Sequence, residues 1–225
     1  MTLKLVIFDV DGTLVDSQAD ILASMGAAFA SEGLARPSRE AVLGIVGLSL
    51  PVAIARLRPD DADPAETARM VEAYKDAYLG LRVAGGPEAS PLFPGIPALL
   101  DRLSQREDLL LGIATGKSRR GLTALLDGHG LAKRFVTTQV ADDHPSKPHP
   151  SMIFTALMEA GVEATDAVMI GDTSYDMDMA RAAGVRAIGV TWGYHRPEAL
   201  TAASALVADS EALGRAIDAF AGATV

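Results

Sequence analysis

The chain of 225 residues has 29 acidic side chains against 20 Lys and Arg side chains, which gives a formal net charge of −9 at pH 7. Hydrophobic residues make up 49% of it, enough for one substantial core and a smaller second unit. The basic side chains are scattered, so the composition argues against a nucleic-acid partner, which needs a clustered basic face. An anionic ligand would need local positive charge from a metal ion, a lysine or backbone amides.

The absence of cysteine excludes disulfide bonds, a thiolate nucleophile and a thiolate metal site. The first apolar run, Leu3–Phe8, is too short for a secretory signal, and two acidic residues follow it. No stretch approaches the roughly 18 uninterrupted apolar residues that span a bilayer. We therefore expect a cytoplasmic protein without a membrane partner, either a monomer or a homodimer.

The first predicted strand ends in two aspartates. Residues i and i+2 of a strand project to one side, so Asp9 and Asp11 share a face, and Gly12 permits a turn that residues with a Cβ disfavour. Two full charges about 4 Å apart repel by roughly 4 kcal/mol at an effective dielectric near 20. A cation, or a proton on one carboxyl group, has to relieve that repulsion. The alternative, an ordinary acidic turn, is more typical of a single aspartate.

Apolar, β-rich segments recur along the chain and mostly alternate with helical patterns, which predicts a parallel sheet in an α/β protein. The predicted strands are Leu3–Phe8, Leu109–Ala114, Phe135–Thr138, Ala167–Ile170, Arg186–Thr191 and Ala205–Val207. Apolar residues at 3.6-residue spacing predict helices over 96–103, over 122–126 ending near Gly130, and over 153–157 ending at Gly161. Each helix is expected to cover a face of the sheet.

The long segment between the first and second predicted strands is helical only. Ser17 with Asp20 resembles a capping box at the start of one helix. Asp63-Pro64 precedes a second long helix, and the pattern over Leu48–Leu57 predicts a shorter one. The Gly- and Pro-rich segment 83–94 is the expected return linker. These patterns predict a helical cap domain over 16–88, inserted into a core formed by 1–15 and 89–225.

Chemically active side chains follow four of the predicted strands. Ligands of open parallel sheets bind beyond the carboxyl ends of the strands, so residues there are expected to share one site. They are Asp9 and Asp11 after the first strand, Thr115 with Gly116 after the second, Lys147 after the third, and Asp172 with Asp176 after the fourth. The set supplies carboxylates, a hydroxyl group and an ammonium group.

With these motifs, nearly the whole chain resembles the haloacid dehalogenase (HAD) superfamily, in its phosphoglycolate phosphatase-like subgroup with a helical cap. The run DVDGTLVDS over 9–17 matches the first motif, Thr115 the second, Lys147 with Pro148 the third, and Gly171-Asp172 with Asp176 the fourth. The resemblance implies a Rossmann-like core with an inserted α-helical cap. It also implies Mg²⁺ as cofactor and a small phosphorylated metabolite as substrate.

The resemblance implies a role for each strand-end residue. Asp9 is the expected nucleophile, which forms an aspartyl-phosphate, and Asp11 is the expected acid and then base, held partly protonated by anionic neighbours. The implied Mg²⁺ ligands are the Asp9 carboxylate, the Asp11 backbone carbonyl and Asp172. The remaining roles are Thr115 as a donor to the phosphoryl group, Lys147 as its counter-charge, and Asp176 and Gly116 as support.

Several alternatives stay open at the level of sequence. Asp11 argues against dehalogenase and phosphonate hydrolase chemistry, and Gly171-Asp172 argues against a sugar phosphomutase. Phosphoglycolate is the preferred substrate. The alternatives are a sugar phosphomutase or pyrophosphatase of the same superfamily, or a catalytically silent module that binds a phosphometabolite or a partner. A binding module would be expected to show no turnover with the fold intact.

Other residues have no assigned role in the sequence. Lys117 is either a surface lysine at a helix start or a phosphate contact, and no role follows for His144 or His149. Gly44 and Gly47 predict a cap loop that packs over the site. The cap side chains that could recognise a substrate carboxylate are Arg56, Arg58, Lys75 and Arg82.

Overall fold

The computed structural model describes residues 2–59, 62–86 and 90–222. Its six strands form one sheet in which all neighbours run parallel: β1 (Lys4–Phe8), β2 (Leu109–Thr115), β3 (Thr137–Val140), β4 (Ala167–Gly171), β5 (Arg186–Val190) and β6 (Ala205–Val207). The helices of the described residues are α1 (Gln18–Ser31), α2 (Arg39–Leu43), α3 (Leu50–Arg56), α4 (Pro64–Gly85), α5 (Ile96–Leu103), α6 (Arg119–Gly128), α7 (Ser151–Ala160), α8 (Ser174–Ala182) and α9 (Ser210–Ala221). The predicted fold class, a parallel-sheet α/β core with inserted helices, is confirmed.

Strand β1 lies inside the sheet, whose strand order is β3-β2-β1-β4-β5-β6. Val6 pairs with Leu111 of β2 on one side and with Val168 of β4 on the other. The chain runs from β1 through β2 to β3 at one edge and then crosses back to β4. The connections therefore diverge beside β1, and the carboxyl ends of strands at such a switch point form the ligand crevice of an open parallel sheet.

Both faces of β1 are buried, as expected for an interior strand of a parallel sheet. Val6 and Phe8 belong to a hydrophobic cluster with α5, α6 and α9. Leu5 and Ile7 belong to a second cluster with α7 and α8. The alternation arises because successive side chains of a strand point to opposite faces. Packing from both faces fixes the backbone that carries the residues directly after β1.

Helices α1 to α4 lie between β1 and β2 in the chain and share a hydrophobic cluster that includes Met25, Ile54 and Met70. Helix α4 packs along α1. Asp63 caps α4 by accepting a hydrogen bond from the Ala65 amide at 2.9 Å. The cap bounds of 16–88 stay a prediction, and the end at 88 falls outside the described residues.

The third strand runs over Thr137–Val140 rather than the predicted Phe135–Thr138. Val136, which the prediction counts as strand, is 57% exposed. Within the actual strand, Gln139 is buried and donates a hydrogen bond to Glu159 of α7 at 2.8 Å. A buried polar side chain with a tertiary partner is stable there but leaves no apolar pattern in the sequence.

The predicted capping box at the start of α1 is wrong. The Ser17 side chain accepts no hydrogen bond from an amide of α1 and instead donates to Asp11 Oδ1. Asp20 accepts a hydrogen bond from Ser90 Oγ at 3.1 Å. Serine and aspartate side chains can hydrogen-bond either to nearby backbone groups or to other side chains, and Ser17 and Asp20 both bond to side chains outside α1.

Helix α4 extends to Gly85, so residues 83–85 of the predicted linker are helical, and its residues 87–89 fall outside the described residues. Helix α2 has no counterpart among the predicted elements, because five residues are too few to show a helical period. Across 2–59, 62–86 and 90–222, every helix is too short or too polar to cross a membrane.

Candidate active site

The carboxyl ends of three adjacent strands meet at one edge of the sheet. Asp9 follows β1, Thr115 is the last residue of β2, and Asp172 follows β4. The loop between β3 and α7 brings Lys147 into contact with Asp9. All four side chains are buried. The fold therefore gathers polar groups from distant parts of the sequence in a place from which water is largely excluded.

Lys147 lies between two carboxylates. Its Nζ donates to Asp9 Oδ1 at 2.8 Å and to Asp176 Oδ1 at 2.6 Å. Burial alone would lower the pKa of Lys147, but the negative charges of Asp176 and Asp9 outweigh burial and raise it above its usual value. The two neighbouring carboxylates therefore favour the charged ammonium form of Lys147.

Asp176 is oriented by the first turn of α8. Thr173 is the N-cap of this helix, and its side chain and backbone amide bond to Asp176 Oδ2 at 2.7 and 3.1 Å. The two residues form a reciprocal capping box, which holds the Asp176 carboxylate in one position. Its other oxygen is thereby directed at Lys147.

Asp9 has one free carboxylate oxygen. Oδ1 accepts from Lys147, whereas the buried Oδ2 has no hydrogen-bond partner among the described residues. Burial raises the pKa of Asp9 to about 7; the Lys147 ammonium opposes this shift, while the carboxylates of Asp176 and Asp11 add to it. A buried oxygen without a donor is costly to leave bare, so it is expected to take a ligand.

Asp172 lies beside the same charges. It accepts hydrogen bonds from Thr13 Oγ1 at 3.0 Å and from the Tyr194 amide at 2.8 Å. Burial raises the pKa of Asp172 well above its usual value, and the carboxylates of Asp9 and Asp176 raise it further. The centre thus contains more buried carboxyl groups than one lysine could neutralise if all of them were ionised.

The residues present fit a divalent cation. Carboxylate oxygens of Asp9, Asp172 and Asp176 lie within 4.8 Å of one another. Lys147 supplies one positive charge against these three carboxyl groups, and Asp9 Oδ2 has no donor among the described residues. Hard cations such as Mg²⁺ prefer an all-oxygen donor set of this kind.

Two glycines enclose Asp172. A Cβ on Gly12 or on Gly193 would lie closer than 3.0 Å to side-chain atoms of Asp172, a separation that real Cβ atoms do not adopt. Gly12 also has φ +83°, a conformation that residues with a Cβ rarely take. The backbone on both sides can approach the carboxylate only because these positions have no side chain.

Replacing Gly193 by Ala is expected to displace Asp172 and to lower stability by about 1–3 kcal/mol. The matched control is Gly80→Ala in the middle of α4, where a Cβ meets nothing within 4 Å. This control is expected to gain up to about 1 kcal/mol from helix propensity. Thermal unfolding of both variants provides the measurement; equal Tm values for the two would contradict the packing argument.

Asp11 is paired with Lys117. Lys117 Nζ lies 2.8 and 3.0 Å from the two Asp11 carboxylate oxygens and 2.9 Å from Tyr78 Oη. Burial alone would lower the pKa of Lys117, but Asp11 and then Tyr78 raise it above its usual value. The nearest charged partner of Asp11 is thus a cation, and the role of Asp11 as acid and base stays a prediction.

A loop of the helical insertion covers the strand ends. A Cβ on Gly116 would lie closer than 3.0 Å to the carbonyl oxygens of Gly47 and Leu48, so the two backbones are in direct contact. Nearby, the Ser49 amide donates to Ser146 Oγ at 2.9 Å. These contacts bring helices α1 to α4 over the site.

A cavity of about 630 Å³ separates the helices from the strand ends. Its floor includes Asp9, Asp11, Thr115, Gly116 and Lys117. Thr115 Oγ1 accepts a hydrogen bond from the Lys117 amide at 3.2 Å, which leaves its own hydroxyl proton to donate. The cavity thus ends in carboxylates, a hydroxyl donor and an ammonium group.

A family model for haloacid dehalogenase-like hydrolases matches residues 6–190 of the chain. The matched range includes the four helices between β1 and β2 and all the strand ends described above. The chain belongs to the haloacid dehalogenase-like hydrolases.

Similar proteins cover most of this haloacid dehalogenase-like hydrolase. A probable phosphatase of Dickeya dadantii, IndB, is 37% identical over 88% of this chain and 86% of the relative. A phosphoglycolate phosphatase of Rhodospirillum rubrum is 34% identical over 94% of this chain and 89% of the relative. A solved structure described as a predicted phosphatase from Clostridium acetobutylicum has a TM-score of 0.83 at 26% identity, over 96% of this chain and 99% of the other. The chain is an enzyme of the phosphoglycolate phosphatase-like group.

Of the four cap side chains proposed to recognise a carboxylate, two line the cavity of this hydrolase, Lys75 and Arg82. Arg56 instead donates to Tyr175 Oη at 3.0 Å, and Arg58 pairs with Glu66. The histidines beside Lys147 also lie elsewhere. His144 bonds to Ser151 and Gln139, and His149 accepts from the Ser151 amide.

Sequence reasoning missed the loop after β5 as part of the site. Gly193 and Tyr194 contact Asp172, and Tyr194 Oη accepts a hydrogen bond from the Ser17 amide at 3.0 Å. The available signal was a glycine at the carboxyl end of a predicted strand, the same signal that located Gly12. Lys117 was located at a strand end, but its partner Asp11 was not foreseen.

Proposed function

We propose that this hydrolase is a Mg²⁺-dependent phosphatase that releases phosphate from a small phosphomonoester through an aspartyl-phosphate on Asp9. The observation that carries the proposal is the state of Asp9 on the cavity floor. One of its oxygens is held by Lys147, and the other has no donor among the described residues while lying in a group of three carboxylates. A nucleophile and a cation-binding group therefore coincide at the end of a substrate-sized cavity.

The cation would be held by the Asp9 carboxylate, the Asp11 backbone carbonyl and Asp172. Mg²⁺ bound there would supply Lewis-acid neutralisation of the charge on the phosphoryl oxygens. Lys147 contributes a second positive charge from the protein, and Thr115 donates its hydroxyl proton to a phosphoryl oxygen. The overall charge of the chain is negative, so this local positive charge is needed to admit a phosphate.

The reaction has two displacements at phosphorus. In the first, a carboxylate oxygen of Asp9 bonds to phosphorus, the ester P–O bond breaks, and Asp11 gives a proton to the leaving alcohol oxygen. In the second, water attacks phosphorus, Asp11 takes the water proton, and the bond between phosphorus and Asp9 breaks to release phosphate. Asp11 paired with Lys117 is suited to the second step. The first step requires a proton on one Asp11 oxygen, so Lys117 can then keep its contact only with the other oxygen.

Phosphoglycolate is the first substrate to assay, because several relatives carry that activity in their names. Phosphate release should depend on Mg²⁺ and stop when the metal is chelated. A folded protein that releases no phosphate from any phosphomonoester in a broad panel would contradict the proposal and favour a binding module.

Metal binding has a readout that does not need turnover. At a Mg²⁺ concentration of 100 times Kd, binding to the folded state adds about 2.7 kcal/mol, which raises the Tm of a chain of this size by about 5–10 °C. Asp172→Asn should lose most of this shift. The control is Asp166→Asn. Asp166 does not line the cavity and pairs with Lys4 at a distance of 2.6 Å, so this variant should keep the Mg²⁺-induced rise in Tm. An unshifted wild-type Tm at saturating Mg²⁺ would refute the metal site.

A further inference from the structure

The cavity above the strand ends is mostly apolar on its cap side. The floor carries charged and hydroxyl groups, and the walls from α1, α4 and the covering loop are mainly aliphatic or aromatic, with Glu72, Lys75 and Arg82 of α4 as charged members of the lining. Six apolar or aromatic residues of these walls are Met25, Leu48, Val71, Tyr74, Tyr78 and Leu79. A phosphoryl group bound at the floor would therefore extend its leaving group into hydrophobic surroundings.

The cavity is also large for phosphoglycolate, whose leaving group is the two-carbon acid glycolate. Its volume of about 630 Å³ falls within the range of about 300–1,000 Å³ that is typical of sites for drug-sized ligands. Since one water occupies about 30 Å³ in the liquid, phosphoglycolate would leave much of this space to water against apolar walls. A larger apolar group would displace that water with a gain in affinity.

Aromatic side chains on α4 give one wall a flat surface. The rings of Tyr74 and Tyr78 stack with centroids 6.0 Å apart and an interplanar angle of 12°. Tyr78 also contacts Lys117 Nζ at 2.9 Å, so this surface begins directly above the reaction centre. Offset stacking and edge contacts with such a pair favour a planar ring in the ligand.

Two of the cationic groups in the cavity are already paired. Lys117 is bound to Asp11 and Lys75 to Glu72 at 2.8 Å. Arg82, in the last turn of α4, and Arg120 of α6 also line the cavity and have no ion-pair partner among the described residues. The buried Nη1 of Arg82 has no hydrogen-bond partner there either, so a leaving-group carboxylate would have to reach one of these two guanidinium groups. Tyr78, the wall residue that contacts Lys117 on the floor, offers the leaving group an aromatic ring rather than a charge.

We propose that the natural substrate is the phosphomonoester of an apolar, ring-containing alcohol larger than glycolate. This proposal rests on the phosphatase function proposed above and assigns the leaving-group class for the same site. The phosphoryl group binds at the floor with Asp9, Thr115 and Lys147, and the ring lies against Tyr74, Tyr78 and the aliphatic walls.

The test compares ethyl phosphate with 2-phenylethyl phosphate. Both esters release a primary alcohol, so the chemical step is closely matched and the ratio of their kcat/KM values reports binding of the ring. We expect 2-phenylethyl phosphate to exceed ethyl phosphate by about tenfold or more, since burial of a phenyl ring removes a large apolar surface from water. It should also exceed phosphoglycolate.

A pair of matched variants ties the preference to the cavity. Leu79 lines the cavity, whereas Leu81, two residues further along α4 and also half-buried, does not. Leu79→Asn should reduce the ratio between the two esters severalfold, and Leu81→Asn should leave it unchanged. Because the ratio is measured within one variant, partial loss of folded protein cancels.

The outcomes separate the two proposals. If the kcat/KM values of the two esters lie within twofold of each other, the ring proposal is overturned while the phosphatase function stands. The same holds if phosphoglycolate has the highest kcat/KM and loses that preference in Arg82→Gln. If the folded wild-type protein hydrolyses none of the three esters with Mg²⁺, the phosphatase function itself fails and the ring proposal fails with it.

Discussion

Asp9→Asn is expected to reduce phosphate release by about 10⁴-fold or more, because the amide is nearly isosteric but is a very poor nucleophile toward phosphorus. Removing Asp9 also eliminates the proposed aspartyl-phosphate rather than slowing one step. The fold should survive, because burial raises the pKa of Asp9 to about 7 and a neutral amide avoids the cost of a buried charge. We expect the Tm of metal-free Asp9→Asn to equal or exceed that of the wild type.

The measurement pairs steady-state phosphate release with acid-quenched mass spectrometry. Wild-type protein mixed with substrate should carry one added phosphoryl group on the peptide that contains Asp9, and the variant should carry none. Asp178→Asn is the control, since Asp178 pairs with Arg181 on the outer side of α8 and its side chain is 41% exposed. Phosphorylation of another residue in active Asp9→Asn protein would assign the nucleophile elsewhere.

The positions of the site residues along the chain could be predicted because strand ends are a local property of the sequence. An apolar run that ends in a polar residue with a glycine nearby indicates the end of a buried strand, and the parallel arrangement then places such ends together. Asp9, Thr115 and Asp172 all follow this rule. No tertiary information is needed beyond the order of helices and strands.

Contacts between elements could not be predicted in the same way. The partner of Lys117 is Asp11 because the loops after β1 and β2 lie side by side, and nothing local to either residue indicates this. Ser17 has an adequate local partner in the first turn of α1 and bonds to Asp11 instead. The third strand was predicted two residues too early in the chain. Gln139 is polar but is stable inside the strand because it donates a hydrogen bond to Glu159, which lies in a helix further along the chain.

Lys147→Met should be the most destabilising of the proposed substitutions. It leaves Asp9 and Asp176 buried without their shared cation, and breaking a buried ion pair from one side costs about 3–5 kcal/mol. In a chain of this size that loss corresponds to a fall in Tm of about 6–20 °C. Activity should fall by about 10²–10³-fold as well, since a positive charge facing the phosphoryl group is lost.

Two further variants show whether Lys147→Met is destabilising because the buried charge is lost or because any lysine has been replaced. Lys4→Met removes a lysine from a pair with Asp166 in which the two side chains are 21% and 23% exposed, where a loss of about 1 kcal/mol is expected. Lys147→Met combined with Asp176→Asn should recover part of the lost stability, because one of the two stranded carboxylates is then neutral. If the double variant is no more stable than Lys147→Met, the cost lies in lost packing rather than in uncompensated charge. Lys147 would then hold the site together mainly by its volume, and the electrostatic argument for a cation between Asp9 and Asp172 would weaken with it.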